Sequence, residues 1–181
     1  MFDEWGGVVF DLDGTIVQLT VDWSAVSNRL RNELDAAEIT AEGNSCWELL
    51  ADATAAGERT RAEAIIAPAE IDGARSSERL PLADILADVP GPVGICSLNC
   101  QAACETALSV HGIARHVDVV VGRDTLDVWK PDPRPLRHTA LELGIPPDRV
   151  LFIGDSRRDS MTAERADVAF NWVSEVQPQL D

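Results

Sequence analysis

The sequence predicts an α/β protein, a parallel β-sheet with helices on both faces that carries a small all-helical insert. Three observations support this reading. Short runs rich in β-branched and aromatic residues, such as Val8-Val9-Phe10 and Val150-Leu151-Phe152-Ile153, lack polar alternation, as strands buried on both faces do. From Leu80 onward such runs alternate with segments whose apolar residues recur at helical spacing. From about residue 20 to 76 helical spacing runs on with no strand signal. Together these describe a Rossmann-like sheet over residues 1–16 and 78–181, interrupted by a helical insert over 17–77.

Each element has its own justification. Gly6-Gly7 and Gly14 bound the first strand, which ends at Asp11. In the insert, Val26, Leu30 and Leu34 follow Asp22 and Ser24, either of which can cap a helix. A second helix fits Cys46 to Ala56, started by Asn44 or Ser45 and stopped by Gly57; a third fits Glu58 to about Ala69, with Ile65 and Ile66 on its apolar face. Pro81 to Ala87 reads as a short helix with proline in its first turn. A strand over 92–96 ends at Ser97, and a helix from Asn99 to Val110 closes at Gly112. Val117 to Val121 is a strand, Pro133 to Leu143 a helix stopped by Gly144, and Val150 to Ile153 a strand ending at Gly154-Asp155. A helix over Ser156 to Ala166 and a short strand over Val168 to Phe170 follow, and Gln177 to Asp181 reads as a loose tail.

Composition limits the partners. Among 181 residues, 31 acidic against 15 basic side chains leave a net charge of −16. So acidic a surface repels nucleic acid and anionic lipid, which argues against both as partners. With no apolar run of about 18 residues and no basic-then-apolar leader, the expected location is the cytoplasm. The four cysteines show no Cys-x-x-Cys pair, and Cys100 and Cys104, one helical turn apart, read as small buried residues in a reducing compartment. Lys130 is the only lysine beside fourteen arginines, an acid-rich, lysine-poor balance that resembles proteins of salt-loving archaea. Salt screening relieves such self-repulsion, so the melting temperature is expected to rise between dilute buffer and molar KCl. An unchanged melt would remove the salt requirement.

Polar residues collect where strands end, and in open α/β sheets that edge holds ligands. Asp11 and Asp13 lean the same way, with Leu12 between them turned into protein. Two acids so close repel each other and favour a bound cation. The second strand delivers Ser97, with Asn99 just beyond; the loop after the third carries Lys130; the fourth delivers Asp155, with Asp159 four residues on. In a lysine-poor chain, a retained lysine points to a place where arginine's planar fork does not serve. Asp11-Leu12-Asp13-Gly14-Thr15, Ser97, Lys130-Pro131-Asp132-Pro133 and Gly154-Asp155-Ser156-Arg157-Arg158-Asp159 resemble, in order, the four motifs of the haloacid dehalogenase superfamily, nearest its phosphoglycolate-phosphatase-like branch. The resemblance covers residues 6–16 and about 80–175, and the helical insert stands where that branch has a small cap.

The resemblance implies an Mg²⁺-dependent hydrolase of a small phosphorylated metabolite. Asp11 would attack phosphorus to form an aspartyl-phosphate, and Asp13 would serve as acid and then base. The metal would be held by the Asp11 carboxylate, the Asp13 backbone carbonyl and the Asp155 carboxylate, hard oxygen donors that suit Mg²⁺. Ser97 and Lys130, with Gly14, Thr15 and Asn99, would hold the substrate phosphate, and Asp159 would orient the lysine or a metal-bound water. Two departures stand out. Leu98 separates Ser97 from Asn99 where many relatives have the pair adjacent, leaving the reach of Asn99 open, and Ile16 to Leu19 is mostly apolar. Two other readings remain: a phosphomutase, which needs further catalytic groups from the cap, and a regulatory protein that binds phosphate or metal without turnover. A dehalogenase does not need the acid at position 13. Arg157 and Arg158 either add charge at the site's mouth or are solvated, and Trp23 and Trp47 either stack on a ligand or, as expected, pack in the insert's core. His111, His116 and His138 receive no role, and the oligomeric state is unreadable.

Overall fold

The computed structural model describes residues 2–176, so the tail expected over Gln177 to Asp181 lies outside the described residues. The core is a five-stranded sheet of β1 (Gly7–Phe10), β4 (Val93–Cys96), β5 (Val119–Val121), β6 (Val150–Gly154) and β7 (Ala169–Trp172), in the order β5-β4-β1-β6-β7. Every pairing in it is parallel. Because side chains alternate, Val8 and Phe10 of β1 join one apolar cluster and Val9 joins another. The first cluster includes Ala103, Ala107 and Leu108 of α4 (Gln101–Val110). The second includes Leu136 and Ala140 of α5 (Arg134–Glu142) and Ala163 and Ala166 of α6 (Arg157–Ala166). Both faces are therefore covered, which is why the strands carry no polar alternation.

The insert consists of α1 (Trp23–Ala36), α2 (Cys46–Ala55) and α3 (Arg59–Arg75), which form a helical cap. Val26, Leu30, Leu34, Leu49, Leu50, Ile65 and Ile66 make its own apolar cluster. The Asp22 side chain accepts the Ala25 amide at 2.9 Å to start α1. Ser45 and Glu48 start α2 as a reciprocal capping box. Helix α3 runs past Ala69 and through Pro68, because Pro68 faces solvent while Glu70, Gly73 and Ala74 beyond it are buried. Two further differences are local. Pro81 to Asp88 forms two turns of 3₁₀ helix, and a short α7 (Val173–Val176) follows β7.

A two-stranded antiparallel ribbon also lies outside the sequence expectation: β2 (Val17–Gln18) pairs with β3 (Glu78–Arg79). Both chain crossings between sheet and helices pass through it.

Helix α4 starts at Gln101 rather than Asn99, since the preceding amides are committed elsewhere. Asn99 N–H donates to Ser97 Oγ at 3.2 Å and Cys100 N–H to Glu70 Oε2 at 3.1 Å.

Candidate active site

The carboxyl ends of β1 and β6 and the loop after β5 meet beneath the helical cap. A cavity of about 170 Å³ lies there, lined by Asp11, Asp13, Lys130, Asp155 and Leu98 from the core and by Trp23 and Trp47 from the cap. Asn99, Ser156 and Arg158 complete the wall. Pockets for drug-sized ligands run from roughly 300 Å³ upward, so this one suits a small molecule.

Asp11 extends β1 by one residue, its amide donating to Ile153 of β6 at 2.8 Å. Leu12 is fully buried, which turns Asp11 and Asp13 to the same side. The chain then tightens: the amides of Ile16 and Val17 both donate to the Leu12 carbonyl, at 2.9 and 3.1 Å. Gly14 takes a positive φ of 80° here, and a Cβ on it would collide with the Asp155 carboxylate. The ribbon anchors Asp13, whose Oδ1 accepts the Leu19 amide at 2.8 Å and the Gln18 side-chain amide at 3.1 Å.

Lys130, only 2 % exposed, sits between two acids. Its Nζ lies 2.9 Å from Asp11 Oδ1 and also donates to Asp159 Oδ1. The other oxygen of Asp159, Oδ2, accepts the Ser156 amide at 3.0 Å and the Ser156 hydroxyl at 2.5 Å, completing the capping box of α6. Asp159 is fully buried with both oxygens engaged, and Gly154 makes room for it, since a Cβ there would stand 2.6 Å from the Asp159 Cβ. A cation paired on both sides in the interior resists deprotonation, and the lysine's affinity for its proton rises accordingly.

The acids behave in the opposite sense to exposed carboxyls. Burial, reinforced by the Asp159 charge and opposed by Lys130, pushes Asp11 up to about 7. Burial raises Asp13 to about 6, against the Leu19 hydrogen bond, and burial with the Asp159 charge raises Asp155. Asp11, Asp155 and Asp159 each place a carboxylate oxygen within 4.8 Å of the others. An oxygen-rich cluster in which Asp11 and Asp155 resist ionisation in the absence of a cation is chemically suited to a hard divalent ion.

Because Asp11 holds its proton more tightly when folded than when unfolded, stability is lost as pH rises between about 4 and 7. Urea denaturation of metal-free protein should show wild type losing more stability than Asp11→Asn between pH 5 and pH 8. Parallel curves would contradict that assignment.

Ser97 is buried just outside the cavity wall, donating its hydroxyl hydrogen to Asn99 Oδ1 at 3.1 Å. Asn99 itself reaches the cavity, so the intervening Leu98 does not remove it but adds an apolar wall beside it. Gly14 and Thr15 lie below the cavity lining, and Thr15 Oγ1 is buried without a hydrogen-bond partner among the described residues. Trp23 and Trp47, expected to pack inside the cap, do so on one side, yet both also line the cavity, with ring centroids 5.0 Å apart. All four cysteines are free and buried; burial pushes Cys46, Cys96 and Cys100 to about 12 and Cys104 well above its usual value. None is poised to act as a thiolate.

Behind Asn99 lies a group that the sequence did not reveal. Arg123, two residues past the end of β5, is fully buried and donates to Glu70 of α3 at 2.6 and 2.9 Å. It also donates to Glu63 of α3 at 3.1 and 2.7 Å and to the Leu98 carbonyl at 2.8 Å. Glu70 in turn accepts from Asn99 Nδ2 at 3.2 Å, so the cap reaches the wall of the cavity through a continuous polar chain. Arg59 of α3 adds bonds to the carbonyls of Arg123 and Leu126 and stacks over Trp129 at 5.0 Å.

The chain is similar to known proteins in sequence and in fold. The family model described as haloacid dehalogenase-like hydrolase matches residues 86–173. A phosphoglycolate phosphatase of Cereibacter sphaeroides is 35% identical over 91% of this chain and 83% of its own length. A solved Lactobacillus plantarum protein assigned as a phosphoglycolate phosphatase superposes with a TM-score of 0.69 at 21% identity, covering 98% of this chain and 91% of its own. CbbY from Rhodobacter sphaeroides, crystallised in complex with phosphate, gives 0.66 at 17% identity over 93% and 85%. The chain therefore belongs to the haloacid dehalogenase-like hydrolases and is a phosphatase enzyme of that family.

Proposed function

We propose that this phosphatase depends on Mg²⁺ and hydrolyses a small phosphate monoester in two steps through an aspartyl-phosphate on Asp11. The observation that carries the proposal is the convergence of Asp11, Asp13, Lys130 and Asp155 on one small cavity. The catalytic body is residues 1–16 and 78–181, and 17–77 are the cap that selects the substrate. The relatives named phosphoglycolate phosphatases make a phosphorylated short acid the first substrate to try. Four buried free thiols are consistent with a reducing cytoplasm.

Phosphoryl transfer needs positioning and charge neutralisation rather than strong acids. Asp11 Oδ attacks phosphorus while Lys130, held between Asp11 and Asp159, neutralises charge on the phosphoryl oxygens and on the nucleophile. Asp13, pushed up to about 6, keeps its proton in a minor but usable fraction of molecules near neutral pH and gives it to the leaving oxygen. It then takes a proton from the water that attacks the aspartyl-phosphate. Mg²⁺, when bound by the Asp11 and Asp155 carboxylates and the Asp13 carbonyl, would neutralise developing charge on the phosphoryl group. Asp159 has no oxygen to spare for a metal and serves to fix Lys130. Asn99, on the cavity wall, holds a remaining phosphate oxygen, and Ser97 behind it fixes the Asn99 side chain through its hydroxyl; Gly14 and Thr15 shape the turn that aims Asp13.

Among the described residues, the cap contributes two tryptophans but no titratable group to the cavity wall, which favours hydrolysis over a phosphomutase. Inorganic phosphate release from a panel of small phosphate esters tests the proposal. Turnover should vanish with excess chelator and return with added Mg²⁺. Full activity after complete chelation would refute the metal requirement, and absence of release from every ester would leave the regulatory reading.

A further inference from the structure

Arg158 lines the cavity yet takes no part in the phosphoryl chemistry. It sits on the first turn of α6, whose start is fixed by the Ser156–Asp159 capping box. The chain offers 31 acidic side chains, but the guanidinium of Arg158 makes no ion pair or side-chain hydrogen bond among the described residues. Seven other arginines, Arg59, Arg61, Arg75, Arg79, Arg123, Arg134 and Arg137, each pair with an acid; of the arginines that do not, Arg158 is the one that lines this cavity among the described residues. An acid whose charge Arg158 meets is Glu48 of α2, whose Oε2 already accepts the Asn44 and Ser45 amides at 2.8 and 2.9 Å.

The rest of the cavity makes an unpaired cation there informative. Lys130 is already committed to Asp11 and Asp159, and three carboxylates crowd the reacting end. Once a phosphate sits against Asp11, the leaving group occupies what remains, between the apolar wall of Trp23, Trp47 and Leu98 and the Arg158 fork. A guanidinium matches a carboxylate in two parallel hydrogen bonds, and the small volume leaves room for little beyond one such group.

We infer that Arg158 is a specificity-determining residue that selects phosphate esters whose leaving group carries a carboxylate. The inference rests on the proposed phosphatase reaction at Asp11 and adds to it the residue that reads the substrate's far end.

The test compares kcat/KM for 2-phosphoglycolate, which carries the carboxylate, with that for ethyl phosphate, which does not, in wild type, Arg158→Gln and Arg158→Lys. Wild type should prefer 2-phosphoglycolate, and Arg158→Gln should shrink the ratio about ten- to a hundredfold, the range of one charge-assisted pair. Arg158→Lys, which keeps the charge but not the fork, should fall between. An unchanged ratio in Arg158→Gln, with both esters still hydrolysed, would overturn the inference and leave the phosphatase proposal intact. Absence of wild-type turnover on both esters, with another ester of the panel hydrolysed, would overturn the inference alone, and absence on every ester would overturn both. A preference for a short bisphosphate over 2-phosphoglycolate, lost in Arg158→Gln, would overturn the carboxylate assignment.

Discussion

Asp11→Asn is expected to lower phosphate release by at least about a thousandfold, while leaving the protein folded. The amide is nearly isosteric with the carboxylate, keeps a carbonyl oxygen for Lys130 and cannot attack phosphorus. It also removes one of the two carboxylates, Asp11 and Asp155, proposed to hold the metal. Phosphate release with saturating Mg²⁺ and 2-phosphoglycolate measures the effect. A rapid-quench search for phosphorylated protein sharpens it, since label should appear on wild type and be absent from Asp11→Asn. Asp13→Asn separates the two acids. If Asp13 serves the proton and Asp11 the bond to phosphorus, Asp13→Asn still accepts label from an ester with a good leaving group but releases it slowly. Full hydrolysis by Asp11→Asn would eliminate the covalent route.

The second large effect concerns stability. Glu70→Ala is expected to cost about 3–5 kcal/mol, because it strands the fully buried Arg123 guanidinium without its closest counter-charge. The same change removes the acceptor for the Cys100 amide and the Asn99 side-chain amide. Glu63→Ala should cost less, since Glu63 is 19% exposed and water can replace part of what it offers. Replacing the pair together, Glu70→Leu with Arg123→Met, should recover most of the loss, because the expense lies in an uncompensated charge rather than in a missing attraction. Urea denaturation of the three variants decides it. A Glu70→Ala midpoint equal to wild type would show that Arg123 finds another partner.

Much of this architecture is legible in the sequence, and for local reasons. Strand runs without polar alternation, the Ser45–Glu48 capping pair and the glycines at 57, 112 and 144, all with positive φ, act over a few residues. The cluster of Asp11, Asp13, Lys130 and Asp155 is legible for a different reason: parallel strands bring their carboxyl ends to one edge. What escapes is whatever depends on distant pairing. Arg123 and Glu70 lie 53 positions apart and are residue types that usually face solvent. Nothing in their neighbours marks them as buried. The β2–β3 ribbon has only two residues in each strand, too few for a periodic signal. Asn99 reaches the cavity despite Leu98 because the loop spends two amides on Ser97 and Glu70 before α4 begins, a bend set by α3 rather than by local propensity.

That ribbon has a consequence for how the enzyme can change. The long excursion from Gln18 to Glu78 leaves and re-enters through neighbouring, paired residues. Its length and content therefore place little demand on the sheet, since the loop is already closed at its base. Helices α1 and α2 can change without touching the catalytic carboxylates, whereas α3 packs Ala74 into the sheet's own apolar cluster and must keep that face; two polar joints also matter. One is Asp13, steadied by Gln18 and Leu19; the other is Arg123, which needs acids on whatever helix lies over it. A graft that keeps the Ala74 face and those two joints can trade Trp23 and Trp47 for other walls and so exchange one substrate for another while the bond-breaking chemistry stays in place.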